Sequence, residues 1–490
     1  MSYYNRFLSF LGLENNKNTL KLKWKLKTKP VEPVVEQVVS IIKNRNINYL
    51  INDPTTPDLI KLILPPEYIG SPKFTVRNYN GGGYTKESYQ GQAASCFITV
   101  SNTINYINSK TDRKIPRWPG TSNLQVIPRA GVDLNAAYDR RNLLFFAASN
   151  PRFGGSIYTC DSTDIVAHEL GHAILDAYRP EMWSAMSLEI ASFHEAFADF
   201  VALMNIMTYD QALIYALNQT GENIRNPNVI SKLAEQFGLA IYNISPPNSG
   251  RSRDYLRYAN NTFNYVNPST LPANAQANQL AAEPHSFGQI FLGAFYDILA
   301  MIYEDIKSTG VPAIDALKQS RDLITRYVLK SIQNAPLNAR FYNSMAKTIL
   351  WADVTLNNRK YHDRINQIFT NRNMVVSQLK MLSAPKCDNE NLVLKIDGML
   401  NLKLSDVVIR AQSDQNPLYN CEIEIPKEQI YLYDNDKNLY DSILITDEDS
   451  ISSAQDMVNY LHQSNNVSDD PTTHFEIKDG KLIRTHFSKR

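Results

Sequence analysis

His168-Glu169-Leu170-Gly171-His172 sets two imidazoles four positions apart around a carboxylate. On a helix, positions i and i+4 share a face, so both imidazoles can reach one metal ion while Glu169 flanks it. Nitrogen donors at this spacing suit zinc, and a neighbouring carboxylate that is not a ligand suits a general base. Catalytic zinc also needs a third protein ligand and an open position for water. The run His194-Glu195-Ala196-Phe197-Ala198-Asp199 supplies that ligand on a second apolar helix. Glu195 is read as the ligand, and Asp199, one turn further along, as the acceptor of a ligand imidazole proton.

These two motifs resemble the gluzincin metallopeptidases, and agreement beyond them points to the thermolysin-like family. Asn135-Ala136-Ala137-Tyr138 is similar to the family's edge strand. The resemblance implies that Asn135 and Ala136 bind an extended peptide, Asn135 near the S1′ site. Asp254-Tyr255-Leu256-Arg257 resembles the family's Asp-x-x-Arg, which implies that Arg257 holds the substrate carbonyl with Asp254 in support. His285, followed by Gly288, Ala294 and Tyr296, is similar to the histidine that stabilises the oxyanion. The resemblance covers roughly residues 75–375. It implies a zinc endopeptidase acting on a peptide or protein substrate, with one catalytic zinc on His168, His172 and Glu195. In that reading zinc lowers the pKa of its bound water toward ~7. Glu169 takes the proton and passes it to the leaving amine, while His285 stabilises the oxyanion. Four of the chain's eight histidines then serve in or beside a single site.

Departures from the family pattern carry their own expectations. His194 stands where the family has Asn; a packing or hydrogen-bonding role is read in preference to an extra ligand. The family's tyrosine oxyanion donor has no clear match, and Trp183, whose indole N–H can donate, is the substitute considered. Asp164 matches one family calcium ligand, but its acidic partner falls on Asn205-Ile206-Met207, so the paired calcium site is expected to be missing. Two rivals remain at this stage. A gluzincin aminopeptidase needs an acidic anchor for a free amine, and no GxMEN-type sequence is present. A non-catalytic binding or scaffold protein on a vestigial zinc fold has no use for Glu169.

The elements that must position these groups follow from periodicity. Residues 89–109 read as a helix, strands follow at 124–127 and 143–147, and helical patterns then dominate at 164–178, 188–207, 289–306, 314–333, 341–350 and 361–369. Strands first and helices second point to α+β architecture. With the resemblance, this becomes a two-lobed core, a β-rich N-terminal lobe and a mainly helical C-terminal lobe, over residues 76–380. Short alternating runs at 392–396, 407–410, 421–425 and 430–433 predict a small, mostly β domain over 387–490. Residues 1–75 are read as a basic N-terminal segment, placed where a pro-segment would restrain the cleft. Its run Lys21 to Lys29 alternates with apolar residues, as a solvated edge strand does.

Composition bounds the rest. The 490 residues carry 50 Lys+Arg against 49 Asp+Glu, which removes any global electrostatic case for nucleic acid. That balance averages a basic start and an acidic end, since residues 387–490 hold 19 acidic groups against 10 basic ones. Four widely spaced cysteines without a CxxC give neither a disulfide framework nor a zinc knuckle, and a reducing compartment fits. No apolar run suggests a signal peptide or a transmembrane segment, so cytoplasmic residence is expected, with leaderless export left open. Oligomeric state is not legible. Cys160 is read as a buried small hydrophobe, Gly81-Gly82-Gly83 as a flexible connection, and Asp434-Asn435-Asp436 as a solvated acidic turn.

Overall fold

The computed structural model of the chain describes residues 47–63, 68, 70–79, 88–374, 385, 392–403, 421–464 and 475–488. The expected strand at 21–29, the Gly81–Gly83 connection, the strand at 407–410 and the first 46 residues of the N-terminal segment lie outside them.

A hairpin of β1 (Ile47–Leu50) and β2 (Ile60–Ile63) comes first. Tyr49, Ile51 and Leu59 are buried in the main core, and the Ile51 and Asn52 carbonyls both accept from the Thr163 hydroxyl. β3 (Phe74–Val76) precedes α1 (Tyr89–Ser109), which starts where Ser88 Oγ accepts from Gly91 N–H at 2.9 Å, a serine N-cap. β4 (Leu124–Ile127), β5 (Ala136–Tyr138) and β6 (Asn142–Phe145) follow. β3, β4 and β6 run parallel, and β5 returns antiparallel to β6. The single strand expected at 143–147 is two, because β7 (Ala147–Asn150) leaves this sheet to pair with β8 (Gly155–Tyr158).

Helices then take over. α2 (Thr163–Tyr178) and α3 (Leu188–Ile206) are buried along their whole length, and α2 carries Asp164, His168, Glu169, His172 and Asp176 inside with it. α4 (Asp210–Thr220), β9 (Lys232–Leu233), α5 (Glu235–Ile244) and β10 (Arg257–Tyr258) lead to α6 (Pro284–Ser308). α6 is long and apolar enough to cross a membrane, but 83% of that window is buried inside the fold, as in a core helix. α7 (Ala313–Asn334), α8 (Phe341–Asn357) and α9 (His362–Asn371) complete the helical part.

Two glycines bring the site helices together. A Cβ on Gly171 would lie 2.7 Å from Ala198 Cα, so the backbones of α2 and α3 approach as only glycine allows. A Cβ on Gly288 would lie 2.7 Å from Ser192 O and 3.2 Å from Glu195 Cβ, which seats α6 on the turn of α3 that carries Glu195.

The C-terminal region holds β11 (Val393–Ile396), β12 (Met399–Lys403), β13 (Glu422–Pro426), β14 (Gln429–Tyr433) and β15 (Leu439–Ile443). Then come α10 (Asp447–Ser464), β16 (Phe475–Lys478), β17 (Lys481–Arg484) and β18 (Phe487–Ser488). β11, β14 and β15 form one sheet, and β12, β13, β17 and β16 another. α10 has no counterpart among the expected strands. Thr446 Oγ accepts from Asp449 N–H at 3.1 Å, and three acids fill the first turn, which favours a helix N-terminus. The region is tied to the helices by Arg179, which donates to the Ile332 and Ala335 carbonyls and to Glu428 Oε2 at 3.2 Å. β18 belongs elsewhere: it adds to the first sheet, antiparallel to β5, giving the order β18-β5-β6-β4-β3. The architecture is α+β, as expected.

One buried acid makes a pH prediction. Glu189, in the first turn of α3, accepts from Tyr265 OH at 2.7 Å and Tyr342 N–H at 2.8 Å, with Arg340 and Asp456 also acting on it. Burial nevertheless pushes its carboxyl up to about 7. Between ~4.5 and ~7 the folded chain therefore holds a proton that the unfolded chain has released. Stability falls as pH rises through that window, by roughly 3 kcal/mol from this group. Urea denaturation across pH 4.5–7.5 is expected to lose that slope in Glu189→Gln; an unaltered slope would show Glu189 ionised when folded.

Candidate metal centre

α2 presents His168, Glu169 and His172, and α3 presents His194, Glu195 and Asp199 one turn apart. The three expected ligands converge. His168 Nε2 lies 3.1 Å from His172 Nε2 and 3.4 Å from Glu195 Oε2, and His172 Nε2 lies 3.7 Å from Glu195 Oε1. Four-coordinate zinc with bonds of ~2.0–2.1 Å separates its donor atoms by about 3.3–3.4 Å. The triangle has that size. Among the described residues this is the one His/Cys/Asp/Glu group able to hold a metal ion, and all three members are buried. Buried Glu195 Oε2 makes no hydrogen bond among the described residues and lies 3.4 Å from both His168 Nε2 and His285 Nε2. Glu195 Oε2 and His168 Nε2 thus stand at the spacing of two ligands about one ion, with His285 a second neighbour of the same oxygen.

Each imidazole is held from behind. His168 Nδ1 meets Asp199 Oδ1 at 2.7 Å, so the neutral ring carries its proton there and turns the Nε2 lone pair to the centre. Arg257 clamps the same carboxylate, Nε to Oδ2 at 2.5 Å and Nη2 to Oδ1 at 2.9 Å, from β10. His172 Nδ1 meets His194 Nδ1 at 3.0 Å. Burial, then the Arg484 and Arg140 charges, push the His194 pKa well below its usual value, so a neutral ring can accept the His172 proton. His194 thus takes the hydrogen-bonding role expected of it. Burial alone would raise the Glu195 carboxyl, but His285, His168 and Arg257 hold it below the usual range.

His285 lies in the first turn of α6, its Nδ1 2.5 Å from Glu283 Oε1. Burial would lower its pKa, yet the Glu195 and Glu283 charges hold it at about 9, which keeps the ring cationic near neutrality. Glu283 caps α6 through the His285 and Ser286 amides and was not singled out from sequence. Its signal was present: an acid directly before a proline at the first helical position.

The remaining expected residues fall at graded distances. Glu169 is fully buried on α2 between the two histidines. Ala136 opens β5, and Asn135 precedes it, its Oδ1 accepting from the Ala136 amide and its carbonyl from the Thr159 hydroxyl. Asp254 stands apart, with its side chain 69% exposed and an oxygen 3.8 Å from Lys232 Nζ. Trp183 Nε1 does donate to a peptide carbonyl, that of Arg484, at 3.0 Å. Asp164 Oδ2 accepts from Ala234 N–H at 3.3 Å. Cys160 is fully buried, and its contact with Cys96, with burial, pushes the thiol well above its usual pKa, so it offers no thiolate. Asp434 Oδ1 accepts from the Asp436 and Asn438 amides in the turn between β14 and β15.

Wholly unexpected is an aromatic from the far end of the chain. Phe487 on β18 stacks on His194 at 4.1 Å and on His172 at 4.8 Å between ring centroids. No protein-family model matches the chain, and no curated protein matches it.

Proposed function

We propose that the chain is a zinc-dependent endopeptidase with a thermolysin-like catalytic arrangement. The observation that carries this reading is the buried His168, His172 and Glu195 triangle, its donor atoms 3.1–3.7 Å apart, with each imidazole braced at Nδ1. Two imidazoles and one carboxylate are the donor set of hydrolytic zinc. Bound there, zinc supplies Lewis acidity and makes water acidic enough to deprotonate near neutral pH.

The chain's own residues do the rest. Glu169 accepts the proton of the attacking water and returns it to the departing amine nitrogen. His285, its Nε2 3.4 Å from Glu195 Oε2, is placed to donate to the carbonyl oxygen as it gains charge. Arg257, fixed by Asp199, holds a neighbouring substrate carbonyl. Asn135 and Ala136, at the start of β5, keep the peptide extended. Trp183 offers an indole N–H in a position to donate to a peptide carbonyl, as it does toward Arg484.

The test is metal removal. Full-length protein is expected to hold about one zinc, to cleave an unfolded protein slowly, to stop when zinc is chelated, and to resume when zinc returns. Absence of bound metal, or cleavage indifferent to the chelator, would overturn the reading.

A further inference from the structure

All the groups of the centre are closed off from solvent: His168, Glu169 and His172 are fully buried, Glu195 is 2% exposed and His285 8%. A peptide chain cannot reach the centre in this state. Against one side of it, on the His172 and His194 rings, lies Phe487 of the segment from Lys481 to Ser488.

The segment is held as an extended peptide. Phe487 and Ser488 pair antiparallel with Tyr138 and Ala137, so β18 occupies the outer side of the strand read as the substrate edge. An extended chain added to a sheet edge is the usual form of β-augmentation, in which the backbone supplies affinity and side-chain pockets supply choice. Here the pocket is aromatic. The Phe487 ring lies flat on the His172 and His194 rings and edge-on to Trp183 at 5.3 Å, and Tyr138 meets Trp183 edge-on at 5.6 Å. Upstream, Arg484 and Trp183 exchange hydrogen bonds: Trp183 Nε1 to Arg484 O at 3.0 Å, and Arg484 Nε to Trp183 O at 3.1 Å. The buried Arg484 guanidinium also lies 4.2 Å over the Phe487 ring. Phe487 is thus seated among aromatic rings of the chain itself.

We propose that the edge of β5 and the pocket of His172, Trp183 and His194 form the subsite for an extended peptide bearing a large aromatic side chain. Phe487 is its resident occupant, and a substrate must displace it. The proposal rests on the peptidase reading for the word substrate, but the binding of an aromatic peptide stands or falls separately. It places a restraint at the C-terminal segment, separate from the one expected of residues 1–75. Because the occupant is tethered, its effective concentration is on the order of millimolar, and a free peptide competes poorly until the tether's aromatic anchor is removed.

Three full-length, zinc-loaded proteins test this: wild type, Phe487→Ala and Phe487→Trp. A fluorescent synthetic peptide spanning residues 481–490 is the probe, beside the same peptide with alanine in place of phenylalanine. Phe487→Ala is expected to bind the phenylalanine peptide at least about tenfold more tightly than wild type does, and not the alanine peptide. Its zinc is expected to be stripped by dipicolinate about tenfold faster, and Phe487→Trp should behave as wild type. Equal peptide affinity and equal stripping rates in a folded Phe487→Ala would overturn the proposal.

Should Phe487→Ala not fold, a crosslink decides. Ala137 and Ser488 face one another in register, so Ala137→Cys with Ser488→Cys can be compared with itself, reduced and oxidised. Oxidation, confirmed by mass, is expected to slow zinc stripping and to abolish peptide binding, both reversibly. Unchanged stripping and binding after confirmed crosslinking would refute it. If peptide binding follows these expectations while no variant cleaves protein, the peptidase reading fails and the subsite stands.

Discussion

Glu169→Gln is expected to retain about one zinc per chain and to lose the proposed hydrolysis by roughly 10²–10⁴-fold, the range ascribed to a positioned general base. The substitution preserves the volume of a fully buried side chain, so α2 and its packing against α3 are undisturbed. It also leaves the triangle of His168, His172 and Glu195 complete. What it removes is the ability to take a proton, since an amide oxygen accepts a hydrogen bond but not the proton itself. Zinc content and cleavage rate should be measured on the same preparations, in the wild-type and Phe487→Ala backgrounds. Undiminished cleavage by Glu169→Gln would remove Glu169 from the mechanism, whereas loss of zinc would make it a structural residue.

Asp199→Ala should give the second large effect, on metal affinity and stability together. Its carboxylate accepts from His168 Nδ1 and from two nitrogens of Arg257. Without it His168 is free to rotate or change tautomer, and zinc affinity is expected to fall about 10–100-fold. The buried Arg257 guanidinium would lose the one carboxylate it hydrogen-bonds among the described residues, costing up to roughly 3–5 kcal/mol. Zinc competition titration reads the first effect and urea denaturation of the metal-free proteins the second. Asp199→Asn, which keeps the shape and one acceptor oxygen, should lie between the two. Affinity unchanged in Asp199→Ala would mean that His168 is fixed by packing alone.

The triangle of His168, His172 and Glu195 was legible because its chemistry is local. The i, i+4 spacing is enough to set His168 and His172 on one face, and Glu195 and Asp199 repeat that spacing on the next helix. Helix boundaries were legible where periodicity and caps coincide, as at Tyr89 and Leu188, where Ser88 and Ser187 cap. α6 begins at Pro284 rather than at 289 because Glu283 and Pro284 open it before its apolar stripe begins. α10 was hidden in a region of alternating strands, although Ala454, Met457, Val458 and Leu461 keep helical spacing and Thr446 and the acids after it carry a helix start. Gly171 reads as a small residue inside a motif, and only Ala198 shows why it must be one. Asp254 illustrates the opposite limit: its place in a family-like motif did not bring it to the centre. β18 could not be read at all. Two residues carry no periodicity, and the contact of Phe487 with His172 joins positions more than 300 residues apart.

His168, His172 and Glu195 are proposed to hold one zinc ion together. Zinc-edge X-ray absorption on the full-length, zinc-loaded chain tests it most directly. Two imidazole nitrogens with oxygen donors at about 2.0–2.1 Å are expected, one imidazole fewer in His172→Ala. Sulfur scattering at about 2.3 Å, or a spectrum indifferent to His172→Ala, would contradict it.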